Sequence, residues 1–182
     1  MITYTVAGDN TKNNSLKILD AISNHADILE LGFPHNTPIA DGGQIQESSY
    51  RALKNGIKLK DVFQIVKKFK NNHPNKPLIL MGYFNLIFQN GEDNFLKNCK
   101  KSGVDGLVCS GDEIDLIRKN FGHDVEILVP GVRFNTQLND QSRVISPREA
   151  IDLGANYIVL GRTITDSPNM KKQLDDIIKT LD

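Results

Sequence analysis

The sequence predicts an α/β protein with about six parallel βα units. Short, continuously apolar runs recur between turn residues, as expected for parallel strands that are covered on both faces. Helical patterns separate these runs, so strand and helix alternate along the chain. The predicted strands are ITYTV (2–6), ILELGF (28–33), PLILMGY (77–83), GLVCS (106–110), VEILVP (125–130) and YIVLG (157–161).

Two segments carry the clearest helical periodicity. In each of them apolar side chains recur every three or four residues, which places them on one face of a helix. The first set is Leu59, Val62, Phe63, Val66 and Phe69, and the second is Met170, Leu174, Ile177, Ile178 and Leu181.

Capping residues mark two further helices. Ser146 is the predicted N-cap of one, with Pro147 at the first helical position, Glu149 completing a capping box and Gly154 ending the helix. The other is predicted to run from a cap at Asp112 to Gly122.

The number of units bears on the architecture. Six units are two fewer than the eight that close a standard (β/α) barrel. Either the chain is a truncated TIM-type barrel that distorts, closes with fewer strands or pairs with a second copy, or it is an open doubly wound sheet. The nucleotide-binding open sheet needs a G-x-G-x-x-G turn after its first strand, and VAGDN lacks one. We therefore expect one barrel-like domain over residues 1–182, and self-association that covers its open edges.

Composition excludes several classes of protein. The 182 residues include 22 basic and 22 acidic side chains without a long block of either sign, which argues against nucleic-acid binding. The first residues do not resemble a secretory signal, and no apolar stretch is long enough for a membrane span, so we expect a cytoplasmic protein. The spacing of Cys99 and Cys109 fits neither a disulfide framework nor a zinc site, which favours two reduced structural thiols.

Two carboxylates are the first candidates for chemistry. Glu30 lies inside an apolar strand, and Asp41 follows in the loop after it. In parallel α/β folds, functional side chains gather at the carboxyl ends of strands. A buried glutamate has a raised pKa and exchanges protons near neutrality, whereas a solvated aspartate stays ionised and can hold a substrate N–H. The alternative is structural, with Glu30 paired to a lysine or accepting from a backbone donor.

The first 107 residues resemble the alpha subunit of tryptophan synthase. The resemblance is carried by YTVAGD, ADILELGFP, PIADGGQIQ, RALKNGIKL, PLILMGYFNLIFQNGEDNFL and GVDGL, in that order. It implies a lyase that cleaves indole-3-glycerol phosphate to indole and glyceraldehyde 3-phosphate. Glu30 would be the acid/base, Asp41 would stabilise charge on the indole nitrogen, and Tyr83 would line the pocket.

The resemblance also implies a tryptophan synthase beta subunit as partner, and neither a metal nor an organic cofactor. The loop that meets this partner in the family usually reads Phe-Ser-Asp-Pro. Here His35, Asn36 and Thr37 precede the proline, and ADGG stands where Ala-Asp-Gly-Pro is expected.

Residues 103–182 resemble bacterial orotidine 5'-phosphate decarboxylase instead. The segments are GVDGLVCSGDEIDLIRKNFG, LVPGVR and NDQSRVISPREAIDLGANYIVLGRTIT. The resemblance implies a grip on a substrate phosphate by Arg133, Gln141, Gly161 and Arg162. A guanidinium, an amide donor and a backbone N–H beside a glycine suit a dianion, and loops after the last barrel strands often bind phosphate. Alternatively, Arg133 and Arg162 are ordinary surface arginines.

The two resemblances together predict a hybrid chain joined at GVDGL. The decarboxylase family depends on an Asp-x-Lys-x-x-Asp array, which this chain lacks. The leading hypothesis is therefore a lyase of the tryptophan synthase alpha type acting on a phosphorylated small molecule. Orotidylate decarboxylation and non-catalytic binding of a phosphate ester stay open as alternatives.

Overall fold

The computed structural model describes residues 1–134 and 145–181. Within them the chain has the predicted α/β class, with six strands that alternate with helices. The strands are β1 Ile2–Val6, β2 Ile28–Gly32, β3 Leu78–Met81, β4 Gly106–Val108, β5 Glu126–Val129 and β6 Tyr157–Ile158. The helices are α1 Lys12–Ser23, α2 Gly43–Lys54, α3 Leu59–Asn72, α4 Phe84–Asn90, α5 Glu92–Ser102, α6 Ile114–Phe121, α7 Pro147–Asp152, α8 Arg162–Thr165 and α9 Met170–Leu181.

The chain divides into two compact units. The first is Met1–Gly106 and the second is Leu107–Asp182. The division falls within the GVDGL segment, where the two sequence resemblances meet.

The first unit is built on three parallel strands in continuous register. β1 pairs with β2 from Ile2↔Ile28 to Val6↔Gly32, and β2 pairs with β3 from Leu29↔Leu78 to Gly32↔Met81. Helix α3 turns its predicted apolar face inward, because Val62, Val66 and Phe69 are buried and Phe63 is half-buried. The largest fully buried side chains of this unit include Leu19, Leu29, Leu31, Ile65, Leu78, Leu80 and Phe95.

Ion pairs hold the helices and loops of the first unit in place. The carboxylate of Asp105 accepts from Lys70 Nζ at 2.8 Å and from the Leu78 backbone N–H at 2.7 Å, which ties the start of β3 to α3. The buried Asp61 of α3 accepts from Lys12 Nζ of α1 at 2.6 Å. The Arg51 guanidinium donates to both oxygens of the Asp9 carboxylate.

The second unit has shorter strand pairing. β5 and β6 are parallel over two residue pairs, Leu128↔Tyr157 and Val129↔Ile158. An isolated parallel bridge joins Val132 to Ile145. The core of this unit among the described residues contains Leu107, Ile114, Ile117, Val125, Ile127, Leu128, Val129, Val132, Ala150, Ala155 and Ile177.

The Arg118 side chain of α6 connects several segments of this second unit. Its guanidinium donates to the Gly154 carbonyl at 2.7 and 2.9 Å, and to the carbonyls of Gly122 and Val125 at 2.8 Å each. It also reaches the Asn156 side-chain oxygen at 2.5 Å. One arginine thus joins the end of α6, the start of β5 and the turn before β6.

One predicted cap is confirmed and the other is wrong. Ser146 Oγ accepts from the Glu149 N–H at 3.2 Å, and Pro147 is the first residue of α7. Asp112 does not begin α6. A 3-10 turn, Gly111–Glu113, comes first, and Ser110 caps it together with the Glu113 carboxylate. The sequence missed this turn because Asp112 is also a good N-cap residue, and only the geometry decides between adjacent caps.

Both cysteines are free thiols. Cys99 is buried in α5, and Cys109 directly follows β4 and is half-buried. Burial raises the pKa of each thiol to about 12, so neither is a ready nucleophile. Across residues 1–134 and 145–181, no helix is both long and apolar enough to cross a membrane. The same residues contain no cluster of three or more His, Cys, Asp or Glu side chains that could hold a metal ion.

Candidate active site

Glu30 is the central titratable residue of the first unit. It is the third residue of β2, in register with Tyr4 of β1 and Ile79 of β3. Its side chain is half-buried, and this burial raises the pKa of the Glu30 carboxyl. Within the described chain, the Glu30 carboxylate has neither an ion-pair nor a hydrogen-bond partner. The structural alternative, pairing to a lysine or to a backbone donor, therefore has no support from the described residues.

Asp41 lies in the loop after β2, and Tyr83 holds it from the end of β3. The Tyr83 hydroxyl donates to Asp41 Oδ2 at 3.3 Å and accepts from the Ala40 N–H at 2.9 Å. Gln46 Nε2 donates to the Asp41 carbonyl at 2.8 Å. Burial raises the pKa of Tyr83, and the neighbouring Asp41 charge raises it further. The predicted pocket tyrosine therefore orients the predicted carboxylate.

Tyr4 is a member of this cluster that the sequence interpretation missed. Burial raises the pKa of the Tyr4 phenol, and the charges of Asp41 and Glu30 add to the effect. The ring lies over Gly32, where an added Cβ would be 2.1 Å from the Tyr4 hydroxyl oxygen. A side chain at position 32 would therefore displace Tyr4. The signal in the sequence was a polar aromatic residue inside the first apolar run, but its relation to Glu30 depends on strand register.

His35 is also close to Tyr83 and Asp41. Its ring meets the Tyr83 ring edge-on, with the centroids 4.6 Å apart. His35 Nδ1 accepts from the Asn36 N–H at 3.0 Å, so Nε2 carries the proton in the neutral ring. Burial lowers the pKa of His35, and the Asp41 charge opposes this shift. Position 35 was noted in the sequence only as a departure from the family loop.

These five side chains form one cluster of ionisable groups beside strands β1, β2 and β3. Glu30 offers a carboxyl group whose pKa is raised by burial, so it holds a proton more tightly than a solvated glutamate does. Asp41 offers a carboxylate oriented by a phenol rather than paired with a cation. Tyr4, Tyr83 and His35 surround the two carboxyl groups with aromatic rings.

The predicted phosphate residues belong to the second unit. Arg133 is half-buried, and its Nη1 donates to the Val132 carbonyl at 3.3 Å. Gly161 caps the short helix α8, which Arg162 begins. Thr163 Oγ1 donates to that same Val132 carbonyl at 3.2 Å, so the start of α8 lies beside the segment that carries Arg133. The fourth predicted residue, Gln141, lies outside the described residues.

A chain of six strands alternating with helices, with titratable side chains at the carboxyl ends of its strands, is a protein of the (β/α)-barrel class. The family model for the tryptophan synthase alpha chain matches residues 1–120. The chain belongs to the tryptophan synthase alpha chain family. A second model, for the orotidine 5'-phosphate decarboxylase / HUMPS family, matches residues 87–177. Both predicted resemblances are thus confirmed.

Curated relatives match the first part of the chain. The tryptophan synthase alpha chain of Pelagibacter ubique is 68% identical over 108 residues, which are 59% of this chain and 41% of the relative. That of Pyrococcus furiosus is 50% identical over 108 residues, 59% of this chain and 43% of the relative. The chain therefore spans about two fifths of the length of these relatives.

Solved structures match along the whole chain. A chain from the tryptophan synthase α2β2 complex of Pyrococcus furiosus superposes with a TM-score of 0.75 and 32% identity, over 100% of this chain and 72% of that one. The tryptophan synthase α-subunit of the same organism superposes with a TM-score of 0.68 and 28% identity, over 100% of this chain and 96% of that one.

Proposed function

We propose that the chain is a carbon–carbon lyase of the tryptophan synthase alpha type, which cleaves indole-3-glycerol phosphate to indole and glyceraldehyde 3-phosphate. The observation that carries the proposal is the half-buried Glu30 carboxyl, with its raised pKa, in one cluster with Asp41 and Tyr83. The family match over residues 1–120 supports the choice of substrate.

The reaction divides between the two carboxyl groups. The bond between indole carbon 3 and the first glycerol carbon breaks, its electron pair stays with the indole ring, and the glycerol hydroxyl becomes the aldehyde. Glu30 delivers a proton to indole carbon 3 and takes the proton of the hydroxyl, and burial, which raises the pKa of its carboxyl group, favours the protonated form that the first of these transfers needs. Asp41 accepts a hydrogen bond from the indole N–H and stabilises the positive charge that develops on the nitrogen.

Tyr83 positions this second carboxylate. Its hydroxyl bonds both to the Asp41 carboxylate and to the Ala40 N–H, so it fixes the loop as well as the side chain. A catalytic group held in its working geometry avoids reorganisation during the reaction.

Indole release tests this function directly. Glu30→Gln and Asp41→Asn should each lower indole formation by about a hundredfold or more, because each removes one charge-handling group. Glu47→Gln is the matched control, since Glu47 is an exposed carboxylate of the same unit, and it should retain parental activity. Equal indole release by all four proteins would make the two carboxylates structural, and carbon dioxide from orotidylate would favour the decarboxylase alternative.

A second candidate function is binding of a phosphate ester by the second unit without turnover. The match of residues 87–177 to the decarboxylase family and the bond between Thr163 and Val132, beside Arg133, favour it. Arg162→Ala should then weaken the binding of a phosphate ester by about 1.5 to 3 kcal/mol, as measured by calorimetric titration. Arg148→Ala is the control, since Arg148 pairs with Asp152 on the surface of α7. Equal affinity of the parent and Arg162→Ala proteins would remove the case for this site.

We also propose a tryptophan synthase beta chain as a partner. A relative from Pyrococcus furiosus was crystallised within an α2β2 complex. In this chain the loop after β2 leaves Asn36, Thr37 and Ile39 exposed, and Ile39 is 84% exposed. Ile39→Asp should abolish co-elution with the beta chain in size-exclusion chromatography, whereas co-elution of this variant equal to the parent would place the contact elsewhere.

A further inference from the structure

A groove on the outer surface of the first unit contains no residue of the proposed active site. It lies between α3 and α5, extends to the end of α4, and has a volume of about 380 Å³. One wall is a ridge of α3 at positions 60, 64 and 67, and the other is a ridge of α5 at positions 94, 98 and 101. Both ridges follow the i, i+4, i+7 spacing of a single helix face.

The charge of this α3–α5 groove has one sign. Lys60 and Lys67 line it from α3 and Lys101 lines it from α5, and all three side chains are exposed. None of its described lining residues is acidic. A concave surface lined by like charges concentrates ions of the opposite sign. The groove therefore attracts anions, although the chain as a whole has no net charge.

An unsatisfied donor lies at one end of the groove. Asn90, the last residue of α4, lines it, and within the described chain the Asn90 side-chain nitrogen is buried without a hydrogen-bond acceptor. A buried donor without a partner lowers the stability of the folded state. Such groups in native proteins call for an explanation, and a bound acceptor is one.

The groove also offers an aromatic ring. Phe63 is half-buried among the lining residues, and its ring packs on the fully buried Phe95 with centroids 5.6 Å apart. This second ring holds Phe63 in place, so an apolar body can lie against a fixed surface.

We propose that the α3–α5 groove is a binding site for a small organic anion, in which the three lysines and the Asn90 amide hold a carboxylate or phosphate group and Phe63 contacts an apolar body. An inorganic anion would contact only the lysines and the Asn90 amide, whereas an organic anion would also contact Phe63. The site goes beyond the proposed lyase function, because it uses none of the residues assigned to that function.

Calorimetric titration with phenyl phosphate tests the site in the Arg162→Ala protein, in which binding at the second unit is expected to be weakened. We expect saturable binding that is tighter than binding of inorganic phosphate. Adding Lys67→Gln and Lys101→Gln should weaken phenyl phosphate by about tenfold, as expected for two charge-assisted contacts at an exposed site. The matched control adds Lys68→Gln and Lys97→Gln, which lie on the same two helices outside the groove, and should change the affinity less than about twofold.

Asn90→Leu separates a ligand donor from a structural one. In the same background, Asn90→Leu should weaken the binding of phenyl phosphate about fivefold. It should leave the free energy of unfolding equal or higher, because it removes an unsatisfied polar group. Phenyl phosphate that does not bind, or that binds equally to the Lys67/Lys101 variant and its control, would overturn the proposal. Indole release is read separately, so loss of this site and loss of the lyase function are distinguishable.

Discussion

The two compact units of the chain are stabilised in different ways. In the unit of residues 1–106, strand β2 is paired along its length with β1 on one side and with β3 on the other. In the unit of residues 107–182, β6 pairs with β5 over only two residues, and the Arg118 guanidinium bonds to oxygens of three segments. Backbone ladders thus contribute more to the first unit than the β5–β6 pairing does to the second, where the Arg118 side chain adds bonds to carbonyl groups.

This difference affects the functional residues of each unit. Glu30 is placed by register in the middle of a three-strand ladder, and Asp41 is held by Tyr83 at the end of that ladder. Arg133 and Arg162 follow short strands, and the Thr163 hydroxyl donates to the Val132 carbonyl between their segments. Acid–base chemistry needs groups fixed within a fraction of an ångström, and a paired ladder supplies such a rigid support. The ladder of the first unit is therefore consistent with the acid–base role proposed for Glu30 and Asp41.

The largest expected effect comes from removing the arginine that joins the second unit. Arg118→Ala should lower the free energy of unfolding by about 3 to 4 kcal/mol, because it leaves several carbonyl oxygens without donors. Hydrogen exchange should show faster exchange in residues 107–134 and 145–181 than in residues 1–106. Arg148→Ala, a surface i,i+4 pair with Asp152, should cost less than about 0.5 kcal/mol. Uniform acceleration in both units would contradict the distinction between them.

A smaller effect is expected from Asp105 in the first unit. Asp105→Ala should cost about 2 kcal/mol in denaturant unfolding, because the buried Leu78 N–H loses its acceptor and Lys70 loses its ion-pair partner. Asp105→Asn is the control that keeps an acceptor for Leu78 and removes only the charge, so it should cost about half as much. If both variants were as stable as the parent, the ladder alone would be sufficient to hold β3.

Self-association is predicted from the number of strands, and we expect helix α9 to take part in it. Met170, Leu174 and Ile178 lie four residues apart on α9 and are 55%, 40% and 55% exposed. We expect a dimer by light scattering, and Leu174→Glu should weaken it by about tenfold, or 1.4 kcal/mol, since it puts a charge into an apolar stripe. Lys171→Glu on the same helix is the control for added negative charge. A parent protein that is monomeric at all concentrations would contradict this prediction.

Much of the first unit could be predicted from sequence because its signals are local. Each apolar run of this unit gave a strand whose ends lie within two residues of the prediction. Glu30 lies within β2, and Asp41 and Tyr83 follow β2 and β3, which are adjacent parallel strands. Tyr4 was missed because its place in the cluster depends on the pairing of Tyr4 with Glu30, and β1 and β2 are separated by a helix, so no local signal marks that pairing.

The second unit was less accessible to sequence reasoning. In the sequence, Arg118 is one of several charged residues of a predicted helix, and nothing near it distinguishes it from the others. Its guanidinium donates to the Gly154 carbonyl, which lies 36 positions further along the chain. The apolar positions of α9 were recognised, but their periodicity does not say that only Ile177 is buried while Met170 and Ile178 are exposed. Burial depends on which surfaces the rest of the chain supplies, and a helix pattern alone cannot contain that information.

The smallest expected effect is the dependence of stability on pH that comes from the titration of Glu30. Burial raises the pKa of Glu30 above its ordinary value of 4.5, so the folded protein holds this proton more tightly than the unfolded chain. Below pH 4.5 the group is protonated in both states and costs no stability. Above pH 4.5 the carboxyl group ionises first in the unfolded chain, so the free energy of unfolding falls as the pH rises. The fall ends once the pH is above the raised pKa of the folded protein, where the group is ionised in both states.

Glu30→Gln removes this titration. Its free energy of unfolding, relative to the parent, should therefore increase from pH 4 to pH 8 while staying within about 1 kcal/mol of the parent. Glu47→Gln, at an exposed carboxylate, should show no such trend. Denaturant unfolding at intervals across this range measures both differences. If the Glu30→Gln protein instead became less stable relative to the parent with rising pH, the ionised carboxylate would have a stabilising partner, and Glu30 would be a structural residue of the ladder rather than its proton-exchanging group.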